Sequence, residues 1–429
     1  MRNASVNPHV AALCVVAATL AGCGGSQSSI VAPGAMPATT RVSGGISVAP
    51  ARAHGSAYRQ IVAFGMPSNT CPDGALPFGS LVAFEGLFYG TTFGGGQNGG
   101  GTIFAMTEKG LEHVLYSFTG KNKYGGFGGG PKAGLIVANR TLYGTTPIDG
   151  DYDAGTVFAV SISGKNFRIL HSFGGSGDGN IPQASLIYRA GALYGTTSQG
   201  GEYGNGTVFS VNAKTGSEQI VYSFRGRPND GRQPQSDLIA VKGALYGTTV
   251  YGGAQDDGTV FSIDPKTNVE RLVYSFTGSD GVNPQAGLIE INGTLYGTTA
   301  YGGTRSNGAV FSLTPTGGER VLHSFGDSPD GQDPFADVAA INGKLFGTTT
   351  RGGAFSSGLG GALFSLDIAS GKERVLHSFG DGSDGAVPVA AVVAVAGTLF
   401  GTTVAGGPNS SECVTSGNEG AGTAFKWRL

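Results

Sequence analysis

From position 258 to 299 the chain reads GTVFSIDPKTNVERLVYSFTGSDGVNPQAGLIEINGTLYGTT. Four short runs, residues 259–263, 271–276, 287–291 and 294–299, are rich in β-branched and aromatic side chains and bounded by turn residues, the pattern of strands. Asn292-Gly293 separates the last two, where a tight hairpin demands residues tolerant of positive φ, while Pro265-Lys266-Thr267-Asn268 makes a looser turn at the other end. Four strands per unit is the composition of a propeller blade.

The unit recurs along the chain. An aromatic followed by Gly-Thr-Thr stands at Tyr89, Tyr143, Tyr194, Tyr246, Tyr296, Phe346 and Phe400, at spacings of 54, 51, 52, 50, 50 and 54. A Gly-Thr-Val-Phe type run begins at Gly101, Gly155, Gly206, Gly258, Gly308, Gly361 and Gly422, and a Ser-Phe type run closes at Phe64, Phe118, Phe173, Phe224, Phe276, Phe325 and Phe379. Each marker occurs seven times, which predicts an all-β, seven-bladed β-propeller over residues 58–429. The ends are out of phase: the first strand, 60–64, lacks the partner that should precede it, and the last, 422–427, lacks the one that should follow. Pairing them closes the ring and removes two exposed strand edges, so a monomer is expected. Cys71 lies in the loop after the first strand and Cys413 in the segment leading to the last, 342 positions apart, and a Cys71–Cys413 disulfide is predicted, the alternative being two unconnected thiols. Loop-entropy models give such a link about 5 kcal/mol as an upper figure.

Glycine, 78 of 429 residues, follows no triplet period and falls between apolar runs, which fits turn-rich β structure rather than collagen. Only 13% of residues are charged and the net charge is −2, so no basic stripe is available for nucleic acid, and an acidic polymer is disfavoured as a general ligand.

Residues 1–22 read as a signal peptide: Arg2 precedes an apolar stretch, residues 10–20, too short to span a bilayer. Leu20-Ala21-Gly22-Cys23 resembles the lipobox of bacterial lipoproteins, the alternative being an ordinary signal-peptidase site. The resemblance implies acylation at Cys23 and a membrane partner through that lipid, and Gly24 rather than Asp implies the outer membrane of the cell envelope. Residues 23–57, rich in Gly, Ser, Ala, Pro and Thr, read as a disordered tether.

The recurring Leu-Tyr-Gly-Thr-Thr, the Gly-Gly before Gly-Thr-Val-Phe-Ser, the His/Tyr-Ser-Phe and the Asp-Gly-x-x-Pro resemble the GloVer tandem-repeat proteins, a bacterial family with alternative surface anchors. The resemblance covers residues 58–429 and implies fold and anchoring, with no assigned activity. Two copies depart from the pattern: Tyr124-Gly125-Gly126-Phe127 stands where others have Asp-Gly, and the last carries the insertion with Cys413. The glycine pairs are also similar to those of kelch propellers, a likeness that implies Leu-Tyr-Gly-Thr-Thr as the innermost strand with its threonines lining the channel.

His171, His323 and His377 share a repeat slot with Tyr116, Tyr222 and Tyr274. Alternation with Tyr marks a packing position facing a neighbouring blade, its polar tip hydrogen-bonded, rather than a catalytic one. His113 is expected to be exposed on a hairpin. The Asp-Gly pairs at Asp73, Asp178, Asp230, Asp280, Asp330 and Asp384 suit either Ca²⁺ ligation or a turn in which Asp accepts backbone N–H bonds. One carboxylate per loop is too few for a cage, so the turn is preferred and no metal site or other cofactor is assigned. No nucleophile elbow, P-loop, dinucleotide fingerprint or zinc motif occurs, and no catalytic residue is assigned. Phe93, Tyr203, Tyr251 and Tyr301, in or near the loops after Thr-Thr, should share one face of the disc, where flat rings could stack on sugars or simply pack against adjacent loops.

These readings favour a surface-anchored, non-enzymatic binding module whose loop-rich face meets a polysaccharide or envelope protein. The alternatives are an extracellular polysaccharide hydrolase or lyase with its site at the central channel, which would require a carboxylate or His-Tyr pair unique to two blades, and a structural spacer.

Overall fold

The computed structural model describes residues 57–65, 71–119, 129–355, 359–381, 384–407 and 420–429. The expected signal, Cys23, the tether, Tyr124 to Phe127 and Cys413 lie outside the described residues.

Seven four-stranded antiparallel sheets form the blades of a propeller. Blades 1 to 6 span residues 82–117, 136–172, 187–223, 239–275, 289–324 and 339–378. The seventh is composite: Val393–Val395, Thr398–Thr403 and Thr423–Arg428 are completed by Tyr58–Ala63 as the outermost strand. Tyr58 pairs with Trp427 and Ala63 with Thr423, with a bulge between Gln60 and Val62. The two ends of the fold thus close the ring, as the out-of-phase termini require. Cys71, 1% exposed, is not a free thiol.

Within blade 5 the strands are Ile289–Ile291, Thr294–Thr299, Ala309–Leu313 and Glu319–Ser324, in that order across the sheet. Asn292 and Gly293 carry φ of 51° and 83° in the hairpin between the first two, as that tight turn demands. The innermost strand is the three-residue one, which corrects the expectation taken from kelch propellers. Innermost strands of several adjacent blades touch one another, and a short strand fits the crowded axis. The Leu-Tyr-Gly-Thr-Thr strand lies second, and its threonines are buried between sheets rather than lining a channel.

The two sequence markers are halves of one contact. Gly297 pairs across the sheet with Phe311, and a Cβ on Gly297 would lie 2.8 Å from the Phe311 ring. The same pairing recurs in all seven blades, from Gly90 with Phe104 to Gly401 with Phe425. Each of these phenylalanines also meets the Ser-Phe aromatic of the preceding blade, with ring centroids 4.9–5.4 Å apart at every junction, including Phe64–Phe104 where the ring closes. The hydrophobic core is therefore a circle of aromatic pairs, one per junction, each member at most 3% exposed.

The Thr-Thr pair adds the polar half of the same junctions. In six blades the first threonine donates into the next blade, as Thr91 Oγ1 to the Ala133 carbonyl at 2.9 Å, Thr298 to Ala336 at 3.0 Å and Thr348 to Ala390 at 3.1 Å, while Thr402 Oγ1 of the seventh is buried without a partner. In five blades the second bonds the threonine of Gly-Thr-Val-Phe on its own sheet, as in Thr249–Thr259 at 2.7 Å.

Candidate functional site

Four places bring chemistry-bearing side chains together: the loop-rich face, a cavity on the opposite face, the axis, and the junctions between outer strands.

The loops after Thr-Thr pair with the Asp-Gly loops through short ladders such as Gly231–Arg232 with Tyr251–Gly252, so both loop sets crown one face of the disc. The four aromatics proposed from sequence lie here, but each leans on a neighbour. Lys132 Nζ sits 5.1 Å from the Phe93 ring centre, the Arg225 guanidinium 5.7 Å from Tyr203, and the Arg232 guanidinium 4.5 Å from Tyr251. Tyr301 meets Phe335 edge-on at 6.0 Å. Tyr203 is the most open, 44% exposed. Arg232 is itself tied to Asp256 by two hydrogen bonds, of 3.0 and 2.7 Å, which hold the Asp256 carboxyl below its usual range.

On the opposite face, a cavity of about 450 Å³ opens between blades 6 and 7, lined among others by Lys344, Arg374, Trp427 and Arg428. Sequence reasoning missed it, because Trp427 read only as part of the closing strand.

At the axis, Asp237 and Asp337 stand two residues before the innermost strands of blades 4 and 6. They converge over Gly287 of blade 5, whose Cβ position lies 3.0 Å from Asp337 Oδ2 and 3.2 Å from Asp237 Cβ. Each reaches back to an amide of the preceding blade: Ser185 N–H to Asp237 Oδ1 at 2.6 Å and Gly287 N–H to Asp337 Oδ1 at 2.5 Å. Burial, then the neighbouring Asp337 charge, drives the Asp237 carboxyl well above its usual range. No periodic signal announces this pair, since the slot holds Ser80, Gly134 or Ala391 in other blades.

The outer junctions carry the repeated chemistry. His171, His323 and His377 face the next blade, and Nε2 of each meets an Asp-Gly carboxylate, Asp178, Asp330 and Asp384, at 3.0, 3.2 and 2.9 Å. Tyr222 and Tyr274 do the same with Asp230 and Asp280 through their hydroxyls, at 2.9 and 2.5 Å. The turn reading of Asp-Gly holds as well, since Asp178 accepts Gly174 N–H and Gly179 N–H. His113 is exposed, within a strand.

The expectation of one isolated carboxylate per loop needs correction. At the start of the next blade's outer strand, six positions before its closing Phe, stands a glutamate at Glu112, Glu218, Glu270, Glu319 and Glu373. Each comes beside the preceding Asp, from Glu112 at Asp73 to Glu373 at Asp330. Burial chiefly, with the aspartate charge second, pushes all five glutamates up to about 7. Oε1 of every one is buried without a hydrogen-bond partner. At the two remaining junctions an aromatic takes the slot instead, Phe167 stacked on Tyr116 and Tyr58 stacked on His377, both at 3.9 Å and 7°. The signal existed in the sequence, because glutamate is missing at 167, opposite the copy that has Tyr124-Gly125 instead of Asp-Gly.

Fold and junctions together define a seven-bladed propeller of tandem repeats whose blades meet through paired aromatics inside and, at five of the seven junctions, through an aspartate beside a glutamate outside. The chain belongs to the Gloeobacter/Verrucomicrobia repeat family, whose model matches residues 52–240 and 227–415. No curated protein matches it. Among solved structures it is similar to an oligogalacturonate lyase in complex with manganese, at 11% identity and a TM-score of 0.50 over 80% of this chain and 86% of that one. A proposed 6-phosphogluconolactonase from Bacteroides uniformis gives 15% and 0.49 over 75% and 88%, and a nidogen/laminin complex 14% and 0.41 over 68% and 92%. At such identities the likeness is of fold alone.

Proposed function

We propose that the chain is an exported, lipid-anchored binding module that meets a polysaccharide on its loop-rich face. The observation that carries this reading is the recurrence there of a partly exposed ring beside a cation: Phe93 with Lys132, Tyr203 with Arg225, Tyr251 with Arg232. A ring offers a flat apolar platform to the C–H face of a sugar, and the adjacent cation donates to its hydroxyls. Acylation at Cys23 would hold the module at the outer membrane, and a Cys71–Cys413 disulfide would staple the closing blade; an acyl mass on the mature chain and a crosslinked peptide lost on reduction are the expected results.

Replacing Tyr203 and Tyr251 together with Ala should weaken binding to a recognised envelope polysaccharide about tenfold, each ring contributing roughly 0.5–1.5 kcal/mol. Titration calorimetry against purified polysaccharides is the measurement. Binding that survives this change but is lost in Trp427→Ala would move the site to the cavity on the other face and sink the proposal.

The enzymatic alternative gains one specific observation, because Asp237 and Asp337 are a carboxyl pair unique to two blades at the axis. Against it, they are 5% and 0% exposed and both anchor neighbouring amides. Release of reducing or unsaturated ends by the wild-type chain, abolished in Asp237→Asn, would favour the enzyme.

A further inference from the structure

Two of the seven outer junctions differ from the rest by chemistry rather than by shape. Between blades 2 and 3, donor atoms of His171, Asp178 and Glu218 lie within 4.8 Å of one another, and between blades 5 and 6 those of His323, Asp330 and Glu373 do the same. In the Tyr junctions a phenol occupies the imidazole's place. At His377 the slot across the junction is Tyr58 rather than a glutamate. Among the described residues, only the first two combine an imidazole nitrogen with carboxylates from both sides of a junction.

We propose that these two junctions are binding sites for a borderline divalent metal ion of the Zn²⁺ class, held by His171, Asp178 and Glu218 and by His323, Asp330 and Glu373. One imidazole nitrogen with two carboxylate oxygens is a donor set such ions take, with a fourth position left to water. The His–Asp separations of 3.0 and 3.2 Å approach the roughly 3.3 Å between neighbouring ligands around a tetrahedral ion with bonds near 2.05 Å. Glu218 Oε1 and Glu373 Oε1 are buried with no hydrogen-bond partner, so each site holds an acceptor with nothing to accept.

The supporting contacts are those of a held ligand set. Gly179 N–H at 2.6 Å and Gly331 N–H at 2.8 Å fix the aspartates through Oδ1, and Gly174 N–H at 3.2 Å and Gly326 N–H at 2.7 Å orient the Oδ2 that faces the histidine. Phe173 and Phe325 pin the imidazoles edge to face at 4.7 and 4.9 Å. The histidine and aspartate side chains are 11–21% exposed, so ions and water can reach both sites. With ligands from two blades, each ion would bind one blade to the next.

The repeat itself supplies the control. Tyrosine stands natively in the histidine slot at three junctions, Tyr116, Tyr222 and Tyr274, so His171→Tyr and His323→Tyr should fold while removing the nitrogen ligand. The mature full-length chain, stripped with chelator and titrated with Zn²⁺, should bind two equivalents. His171→Tyr should bind one and the double variant none, while His377→Tyr keeps two. Glu218→Gln with Glu373→Gln should also abolish binding, without touching either imidazole. Co²⁺ in place of Zn²⁺ should give a visible d–d spectrum in the wild type that is absent from the double variant. A wild-type chain that takes up no Zn²⁺ overturns the proposal, and so does a double variant that keeps both equivalents.

Discussion

In five blades the second threonine of Thr-Thr bonds the threonine of Gly-Thr-Val-Phe, from Thr92–Thr102 to Thr403–Thr423. In blade 5 that partner is Ala309, and Thr299 Oγ1 is left buried and unpaired. Ala309→Thr should restore the bond, since the backbone already takes the register in which the other blades make it, and stabilise the fold by about 0.5–1.5 kcal/mol. A rise in melting temperature checks it. The converse change, Gly297→Ala, should destabilise by about 1–3 kcal/mol, because its Cβ would enter the space filled by the Phe311 ring and Leu288. At this scale the sequence was legible: an invariant Gly beside Tyr and an invariant Phe after Gly-Thr-Val mark one contact. The axial carboxyls were not, because nothing local distinguishes Asp237 from a turn residue until the strand phase is known.

Between elements, the unexpected feature is the glutamate that crosses five of the seven junctions. Its partner aspartate lies 39 or more positions earlier, in the preceding repeat, so spacing cannot reveal the meeting; only knowing which strand lies outermost does. The orientation of the His/Tyr slot could be read, because alternation with serine on one strand fixes its side. Glu112, Glu270 and Glu319, at junctions without histidine, have a folded value of about 7 against an ordinary 4.5. Folding therefore takes up protons at these groups between pH 4.5 and 7. Their contribution is fully present below pH 4.5 and is lost as pH rises through 7. Replacing the three with Gln, which stays neutral, should flatten this dependence: from pH 5 to 8 the melting temperature should fall less than in wild type, by roughly 1–3 °C. Equal slopes would show that these carboxyls titrate normally.

For the molecule as a whole, closure is the decisive event. The count of seven and the complementary ends were plain from the markers, since a repeat cut at different phases at its two ends must join them. Blade order across the sheet was not plain, and the kelch likeness placed the wrong strand at the axis. Deleting residues 58–64 should expose the edge of Thr423–Arg428 and remove Phe64 from its packing on Phe104. The expected outcome is self-association on size-exclusion chromatography, whereas a monomer of native stability would mean that six complete blades suffice.

The strand that shuts the ring is also the first one after residue 57. Any tension arriving along the preceding chain is applied to Tyr58–Ala63 before it reaches another blade, and is carried by the ladder from Tyr58–Trp427 to Ala63–Thr423, the stacking of Tyr58 on His377 and the seating of Phe64. A pull on that strand strong enough to strip it from its ladder would therefore unlatch the whole disc, because the first strand to yield is the one that closes the ring.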